Sequence, residues 1–432
     1  MSTTATIASG AIFAATYALI FTEKVHRTVA ALAGAVGMII VGQALGFFSW
    51  EEAISAIDFN TIALLLGMMI IVGLVGQTGF FEYLAMLAAR TTRGRPWALF
   101  AALSVLAGLV SSMLDNVTTM VMIAPITFSV AEILEIDPTP TILGEIIFSN
   151  FGGTATLIGD PPNILIGSAA GFSFMDFLVY LAPIVVAVSG LCLFLLRFVF
   201  RREFAHTPKN IEALANLEPG KAITDRRRFR AMLGVLSSVV VLYFVHDYLG
   251  LKPGLVALVG ATLALLALRP KMSEALAAVE WEVLLFFAGL FIVIRGIEVS
   301  GLLEWLMTPV RGVVSGGEFF AALVMLWIGA ILSSFGGSVP VTMALIPIGQ
   351  ALIRLGNFGP SIWWGLALGV GLGANGTLIG GAANVVGASL LARSHGSITF
   401  RDWLRKCSPV AIISWVLASL FLWVFMAIGL IR

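Results

Sequence analysis

The chain has 432 residues, of which 59% are hydrophobic and 11% are charged, and its formal net charge is +1. Soluble domains carry roughly 25% charged residues, so this composition excludes a soluble enzyme and favours an all-α polytopic membrane protein. Nothing in the composition indicates a nucleic-acid partner.

Residues 1–27 contain the first hydrophobic segment. No basic region precedes its apolar stretch, so we interpret it as a retained N-terminal helix and not as a cleaved signal peptide. Cys192 and Cys407 form no CxxC pair and lie in or beside apolar segments, which favours structural thiols. There is no P-loop, so we predict a protein that is not an enzyme and that needs no cofactor or metal.

Residues 28–200 are predicted to form a first repeat. Within it, segment 97–135 is interrupted by the polar tip LDNVTT, which leaves two halves that are short for membrane spans of roughly 20 residues. We therefore predict a re-entrant helical hairpin, with two ordinary spanning helices as the alternative. Segment 140–171 contains GTATLIGDPPNILIGS, whose glycines and proline pair predict a broken transmembrane helix.

Residues 201–253 are predicted to form a linker followed by a connecting helix. Nine lysines and arginines lie in and beside 201–229, so the positive-inside rule places this loop in the cytoplasm. The N-terminus then lies outside the cell inner (plasma) membrane, which the chain crosses many times.

Residues 254–432 repeat the same pattern. A second hairpin is predicted at 317–356, around FGGSVPVT, and a second broken helix at 361–394, around ANGTLIGGAANVVGAS. Thr156 and Asn163 recur as Thr377 and Asn384, with the same spacing between the two members of each pair. The first repeat starts inside and the second outside, so the sequence predicts an inverted structural repeat, which is typical of secondary transporters.

The two hairpin tips and the two broken helices should converge on one binding site near the middle of the membrane. Backbone groups at unwound helix ends and uncharged Asn, Thr and Ser side chains suit a polar solute or a small cation. The alternative is that these small residues only let helices pack closely. The predicted substrate-binding residues are Asn116, Thr118, Asn150, Thr154, Thr156, Asn163, Ser338, Asn375, Thr377 and Asn384.

Three acidic residues are candidates for carrying a coupling proton: Asp115, Asp160 and Glu145. An ionisable group inside a membrane is costly and indicates function. Asp160 could instead be a helix cap before Pro161. Arg295 and Glu298 lie three residues apart in one helix, where we expect a structural ion pair.

The motifs NFGGTATLIGDPPNILIGS at 150–168 and GANGTLIGGAANVV at 373–386 resemble the ion transporter superfamily, in the branch of the arsenite efflux pumps and the melanosomal P protein. This resemblance implies re-entrant hairpins and broken helices over nearly the whole chain. Its members move arsenite and antimonite, sodium against protons, chloride, or di- and tricarboxylates. The tips at 115–118 and 337–340 depart from the Ser-Asn-Thr pattern of the carboxylate branch.

These observations predict a transporter that exports arsenite or antimonite in exchange for protons by alternating access. Sodium/proton exchange, with Na⁺ as the coupling ion, and transport of a di- or tricarboxylate are the alternatives. The expected partners are a small inorganic substrate and the lipid bilayer. A soluble ATPase subunit could dock on 201–229, and a homodimer could form.

Overall fold

The computed structural model describes residues 3–22, 24–205, 208–302, 312–394 and 396–431. In these ranges the chain forms helices and connecting loops, and nine of the helices are long and apolar enough to cross a membrane. The part of the predicted second repeat at 303–311 lies outside the described residues.

The helices are numbered in chain order. They are α1 (Thr3–Thr22), α2 (Arg27–Leu45), α3 (Trp50–Ala56), α4 (Phe59–Gly76), α5 (Phe80–Thr91), α6 (Pro96–Ser111), α7 (Asn116–Leu134), α8 (Thr139–Ala155), α9 (Pro161–Ala170), α10 (Phe174–Val199), α11 (Ile211–Ala215), α12 (Arg226–Val245), α13 (Pro253–Leu268), α14 (Met272–Ala277), α15 (Trp281–Val299), α16 (Glu318–Gly336), α17 (Ser338–Gly356), α18 (Ser361–Gly373), α19 (Ala382–Ser394), α20 (Phe400–Lys406) and α21 (Ser408–Ala427).

The fold is the predicted one: two helical hairpins, α6–α7 and α16–α17, and two broken helices, α8–α9 and α18–α19. The hairpin tips are tighter than the sequence predicted, because α7 already begins at Asn116 and only Gly337 separates α16 from α17. In the first tip Asp115 accepts a hydrogen bond from the backbone N–H of Thr118 at 2.8 Å, which caps α7 and starts the helix early.

In each repeat the first hairpin arm runs parallel to the first half of the broken helix. Gly152 of α8 lies against Gly108 of α6, and Gly365 of α18 lies against Ala322 of α16. A Cβ on Gly152 would sit 1.9 Å from the carbonyl oxygen of Gly108, so only glycine permits this backbone contact. The parallel packing brings the hairpin tip and the helix break to the same depth.

The two repeats run in opposite directions. Where α8 and α18 cross, Asn150 of α8 bonds Asn375, which lies just beyond the end of α18. Thr154, four residues later in the chain than Asn150, contacts Gly371, which is four residues earlier than Asn375. This antiparallel crossing is the inverted topology of the fold.

The first helix of each repeat packs on the other repeat. Gly67 of α4 lies against Ala257 of α13, and Gly289 of α15 lies against Ala31 of α2. The four helices α2, α4, α13 and α15 therefore form a framework to which both repeats contribute.

The 201–229 linker docks on the end of the first hairpin. The backbone N–H of Lys209 donates to the carbonyl of Leu134 at 3.0 Å, and its ammonium lies 2.8 Å from Glu135. The hydrogen bond to Lys209 holds the pKa of Glu135 below its usual range and raises the pKa of Lys209. The pair is therefore charged at neutral pH and loses its attraction only as the pH falls through the lowered carboxyl pKa, or rises through the raised ammonium pKa.

Candidate functional site

The helix breaks are held by two asparagines at equivalent positions. The side-chain amide of Asn163 donates to the carbonyls of Thr154 and Thr156 at 2.9 and 2.8 Å. Asn384 does the same for Ala374 and Thr377 at 2.7 and 2.9 Å. These bonds satisfy carbonyls that the missing helical turn leaves without a partner.

In each repeat one threonine bonds the helix break to its hairpin. Thr156 donates its hydroxyl to the carbonyl of Ser112, and Thr377 donates to the carbonyl of Ser334. Each hairpin and its broken helix are thus linked at the same depth in both repeats. Thr156, Thr377, Asn163 and Asn384 therefore stabilise the helix breaks.

Between the breaks, four buried asparagines form one hydrogen-bonded network. The amide of Asn150 donates to Asn375 at 2.7 Å and to Asn384 at 2.8 Å, and its oxygen accepts from Asn116 at 3.2 Å. Asn116 in turn accepts from the hydroxyl of Ser111 at 2.5 Å. The network joins the first hairpin tip to both broken helices.

A cavity of about 400 Å³ opens beside this network. It is bounded by both hairpin tips, both helix breaks, α4, α15 and the end of α1. The site residues predicted from the sequence that line it are Asp115, Asn116, Asn150, Asp160 and Ser338. Hairpin tips and broken helices therefore converge on one space, as the repeat pattern predicted.

The remaining predicted residues do not line the cavity. Thr154 is fully buried and bonds the carbonyl of Asn150, and Thr118 offers its backbone N–H to Asp115. Glu145 is fully buried between α7 and α8, where it accepts the hydroxyl of Thr127. The structure thus places Glu145 apart from the other two acids.

The two aspartates of the cavity are held differently. Asp115 caps α7, whereas the side chain of Asp160 makes no capping bond although the residue stands at the start of α9. The alternative interpretation, that Asp160 is a helix cap, therefore holds for the position of the residue but not for its side chain. Pro161 and Pro162 have no N–H, and the N–H of Asn163 donates to the backbone carbonyl of Asp160 at 3.0 Å. The two carboxylates lie close enough across the cavity to interact electrostatically.

Sequence reasoning missed two charged residues of the cavity, Arg27 and Glu280. Arg27 begins α2 and its guanidinium lies 5.8 Å from the ring centroid of Phe286, while Glu280 precedes α15 and interacts electrostatically with both Arg27 and Asp115. Glu280 occupies the position in the second repeat that Asp58 occupies in the first, 222 residues earlier. This match was the sequence pattern that could have identified Glu280 as a site residue. The cavity therefore combines three carboxylates, one guanidinium and uncharged amides, with apolar walls from α4 and α15.

The inverted repeat and the cavity at the meeting point of tips and breaks define a membrane transporter. The chain belongs to the CitMHS family, whose model, described as "Citrate transporter", matches residues 17–369. The "46 kDa membrane protein" of Mycobacterium leprae is 38% identical to it over 95% of this chain and 97% of its own length. An uncharacterized transporter of Mycobacterium tuberculosis is 37% identical over 95% of this chain and 96% of its own.

The similarity to the P protein branch is confirmed. The human P protein is 32% identical over 98% of this chain, which covers 60% of that protein. Among solved structures, the YdaH transporter of Alcanivorax borkumensis superposes with a TM-score of 0.60 at 16% identity, covering 87% of this chain and 88% of that chain. MtrF of Neisseria gonorrhoeae gives a TM-score of 0.60 at 12% identity, with 86% and 82% covered. These two likenesses show a shared fold.

Proposed function

We propose that this transporter exports arsenite or antimonite in exchange for protons by alternating access. The observation that carries the proposal is the cavity in which uncharged amides and a hydroxyl lie beside three carboxylates, at the point where both hairpin tips and both helix breaks meet. A neutral solute can bind the amides while a carboxylate exchanges its proton, so that export of the solute is coupled to movement of the proton.

Arsenite suits the uncharged part of this site. At neutral pH it is mostly As(OH)₃, whose three hydroxyls can each donate and accept a hydrogen bond. Asn116 and Ser338 offer an amide and a hydroxyl on the cavity wall, and Asn150 lies beside them with its amide held in the asparagine network. Cys192 and Cys407 are buried elsewhere, so arsenic would not be trapped as a tight thiolate complex and could be released.

Of the acids, Asp160 is the stronger candidate for the coupling proton. The carboxylate of Asp115 is held at the N-terminus of α7 by the Thr118 N–H, so Asp115 already serves as a helix cap. Asp160 has no capping bond and faces the cavity, so its protonation breaks no structural contact of α9. We assign Asp115 the role of holding the first hairpin tip in place as the cap of α7.

A second candidate is transport of a carboxylate such as citrate. It is favoured by the description of the family model and by Arg27, the guanidinium in the cavity wall. Against it stand Asp115, Asp160 and Glu280, since three like charges repel a free multivalent anion. Sodium/proton exchange would use the same carboxylates with backbone oxygens at the breaks.

The test is transport by the purified chain in proteoliposomes under an imposed pH gradient, with arsenite, citrate and sodium compared. The variants are Asp160→Asn, Asp115→Asn and Arg27→Gln. Asp247→Asn is the matched control, because Asp247 is exposed and lies outside the cavity.

We expect Asp160→Asn to abolish arsenite movement driven by the pH gradient, and Arg27→Gln and Asp247→Asn to leave it within about twofold. Citrate movement that requires Arg27, without arsenite movement, would replace the first proposal by the second. Sodium exchange alone would contradict both. A soluble ATPase that co-purifies and is needed for arsenite transport would contradict proton exchange as the energy source.

A further inference from the structure

A second, smaller cavity lies further along α15, away from the first. Its volume is about 200 Å³, and its wall includes residues of α9, α15 and α17. Its polar lining residues are Asp58, Ser168, Arg295, Glu298 and Gln350. Arg295 and Glu298 form the ion pair predicted from their spacing, at 2.9 Å.

The two cavities use equivalent parts of opposite repeats. Asp58 and Glu280 are 222 residues apart and Ser168 and Ser389 are 221 residues apart, so each pair occupies matching positions in the two repeats. Glu280 lines the large cavity, and Ser389 lies one helical turn beyond Val385 and Val386, which also line it. The small cavity is thus the counterpart of the large one in the inverted half of the molecule.

The two equivalent pairs are in opposite states. Ser168 of α9 donates its hydroxyl to the carboxylate of Asp58, which precedes α4. That carboxylate is held in place by the hydroxyl of Thr61 at 2.5 Å and by the N–H of Asn60 at 3.0 Å. Ser389 instead donates to the carbonyl of Val386 in its own helix at 2.8 Å.

Helix packing shows the same asymmetry. On the side of the small cavity, α4 packs on α9 and α15 packs on α17. On the side of the large cavity, the equivalent helices α15 and α19 face each other across open space. Helices α4 and α7 meet near the end of α4, where Met122 lies against Gly76, and the cavity separates α4 from the start of α7. The framework helices therefore pack against the hairpins and broken helices on the side of the small cavity and are separated from them on the side of the large cavity.

We propose that Asp58–Ser168 and Glu280–Ser389 are reciprocal latches of two gates. The first is formed in the conformation described here and closes the small-cavity side. The second forms when α19 approaches α15, closing the large cavity while the small one opens. This inference rests on the proposed alternating access but not on the identity of the substrate, so failure of arsenite transport leaves it standing.

The first test measures cavity opening without any substrate. Single reporter cysteines, Val283→Cys in the large cavity and Gln350→Cys in the small one, are labelled in the detergent-solubilised full chain with a water-soluble thiol reagent. Background is low because both native cysteines are buried. Ser168→Ala and Ser389→Ala are introduced separately. Ser189→Ala is the matched control, since Ser189 also bonds a carbonyl three residues earlier.

Ser168→Ala should slow labelling of Val283→Cys and speed labelling of Gln350→Cys by up to about tenfold, which is the upper end of the effect of a typical hydrogen bond. Ser389→Ala, which removes a contact of the other state, should shift both rates in the opposite direction or leave them unchanged. The proposal would be overturned if Ser168→Ala left both labelling rates unchanged, or if Ser168→Ala and Ser389→Ala shifted these rates in the same direction. A general loosening of the structure would change labelling at both reporter cysteines in the same way.

The second test uses disulfides. The double variants Asp58→Cys/Ser168→Cys and Glu280→Cys/Ser389→Cys should both cross-link under mild oxidation, each with reversible loss of transport. Molecules locked by the first pair should not form the second. Cross-linking of the first pair with none of the second would show that Glu280 and Ser389 never meet, and the reciprocal latch would be wrong.

Discussion

At the scale of single residues, Asn150 is a buried side chain whose hydrogen-bonding groups all have partners. Both amide hydrogens have acceptors, on Asn375 and Asn384, and its oxygen accepts from Asn116. An amide is the side chain that offers two donors and an acceptor in one plane without charge. Asn150 therefore joins the two repeats at their crossing without adding a charge to the cavity wall.

Asn150→Ala should destabilise the protein by about 1–3 kcal/mol, because it leaves buried donors and acceptors of three other asparagines without partners. The measurement is thermal unfolding in detergent, with Asn216→Ala as the control, since Asn216 is exposed in the linker. Equal melting temperatures of the two variants would show that water or rearranged side chains replace the network.

Sequence reasoning found some residues of the site and missed others for a physical reason. Asp160 and Asn150 stood in a repeated motif with helix-breaking neighbours, so local signals predicted their place. Arg27 read only as a basic residue at a helix start. Its position in the cavity depends on the packing of α2 against α15. These helices lie in different repeats and far apart in the sequence, so local sequence patterns do not predict their contact.

At the scale of elements, the parallel contact between α6 and α8 sets the depth of the first hairpin tip. Gly152→Ala would place a Cβ against the backbone of α6, which cannot yield as a flexible side chain would. We expect a loss of about 1–3 kcal/mol of stability from this overpacking.

The control for this change is Gly190→Ala in α10, where an added Cβ meets no atom within 4 Å. Both variants are compared by thermal unfolding and by pH-driven transport in proteoliposomes. Wild-type stability and transport in Gly152→Ala would mean that α6 and α8 can separate without cost, and that the hairpin tip is not held by this contact.

The hairpins and breaks were predictable because Gly, Pro and polar residues interrupt apolar segments at matching places in two repeats. The exact tips were not, since helix starts depend on capping: Asp115 begins α7 at Asn116, ahead of the end of the polar run LDNVTT. The exchange of first helices, with α2 on α15 and α13 on α4, leaves no mark in hydropathy and appeared only in the structure.

At the scale of the whole molecule, the large cavity and the basic linker lie on one side. Gly79, just beyond α4, lies against Ala222 of the linker, and Gly73 near the end of α4 lies against Ala278, two residues before Glu280. The end of the large cavity that Arg27 and Glu280 line therefore faces the same compartment as the linker. If the positive-inside expectation holds, the conformation described here is open to the cytoplasm.

This orientation can be tested with single cysteines at two exposed lysines, Lys221 in the linker and Lys252 before α13. In intact cells a membrane-impermeant thiol reagent should label Lys252→Cys, and should label Lys221→Cys only after the membrane is permeabilised. The buried native cysteines give the wild type as a low-background control. The reverse labelling would place the large cavity on the outer side, where an exporter would have to release its substrate, and the conformation described here would then be the release state.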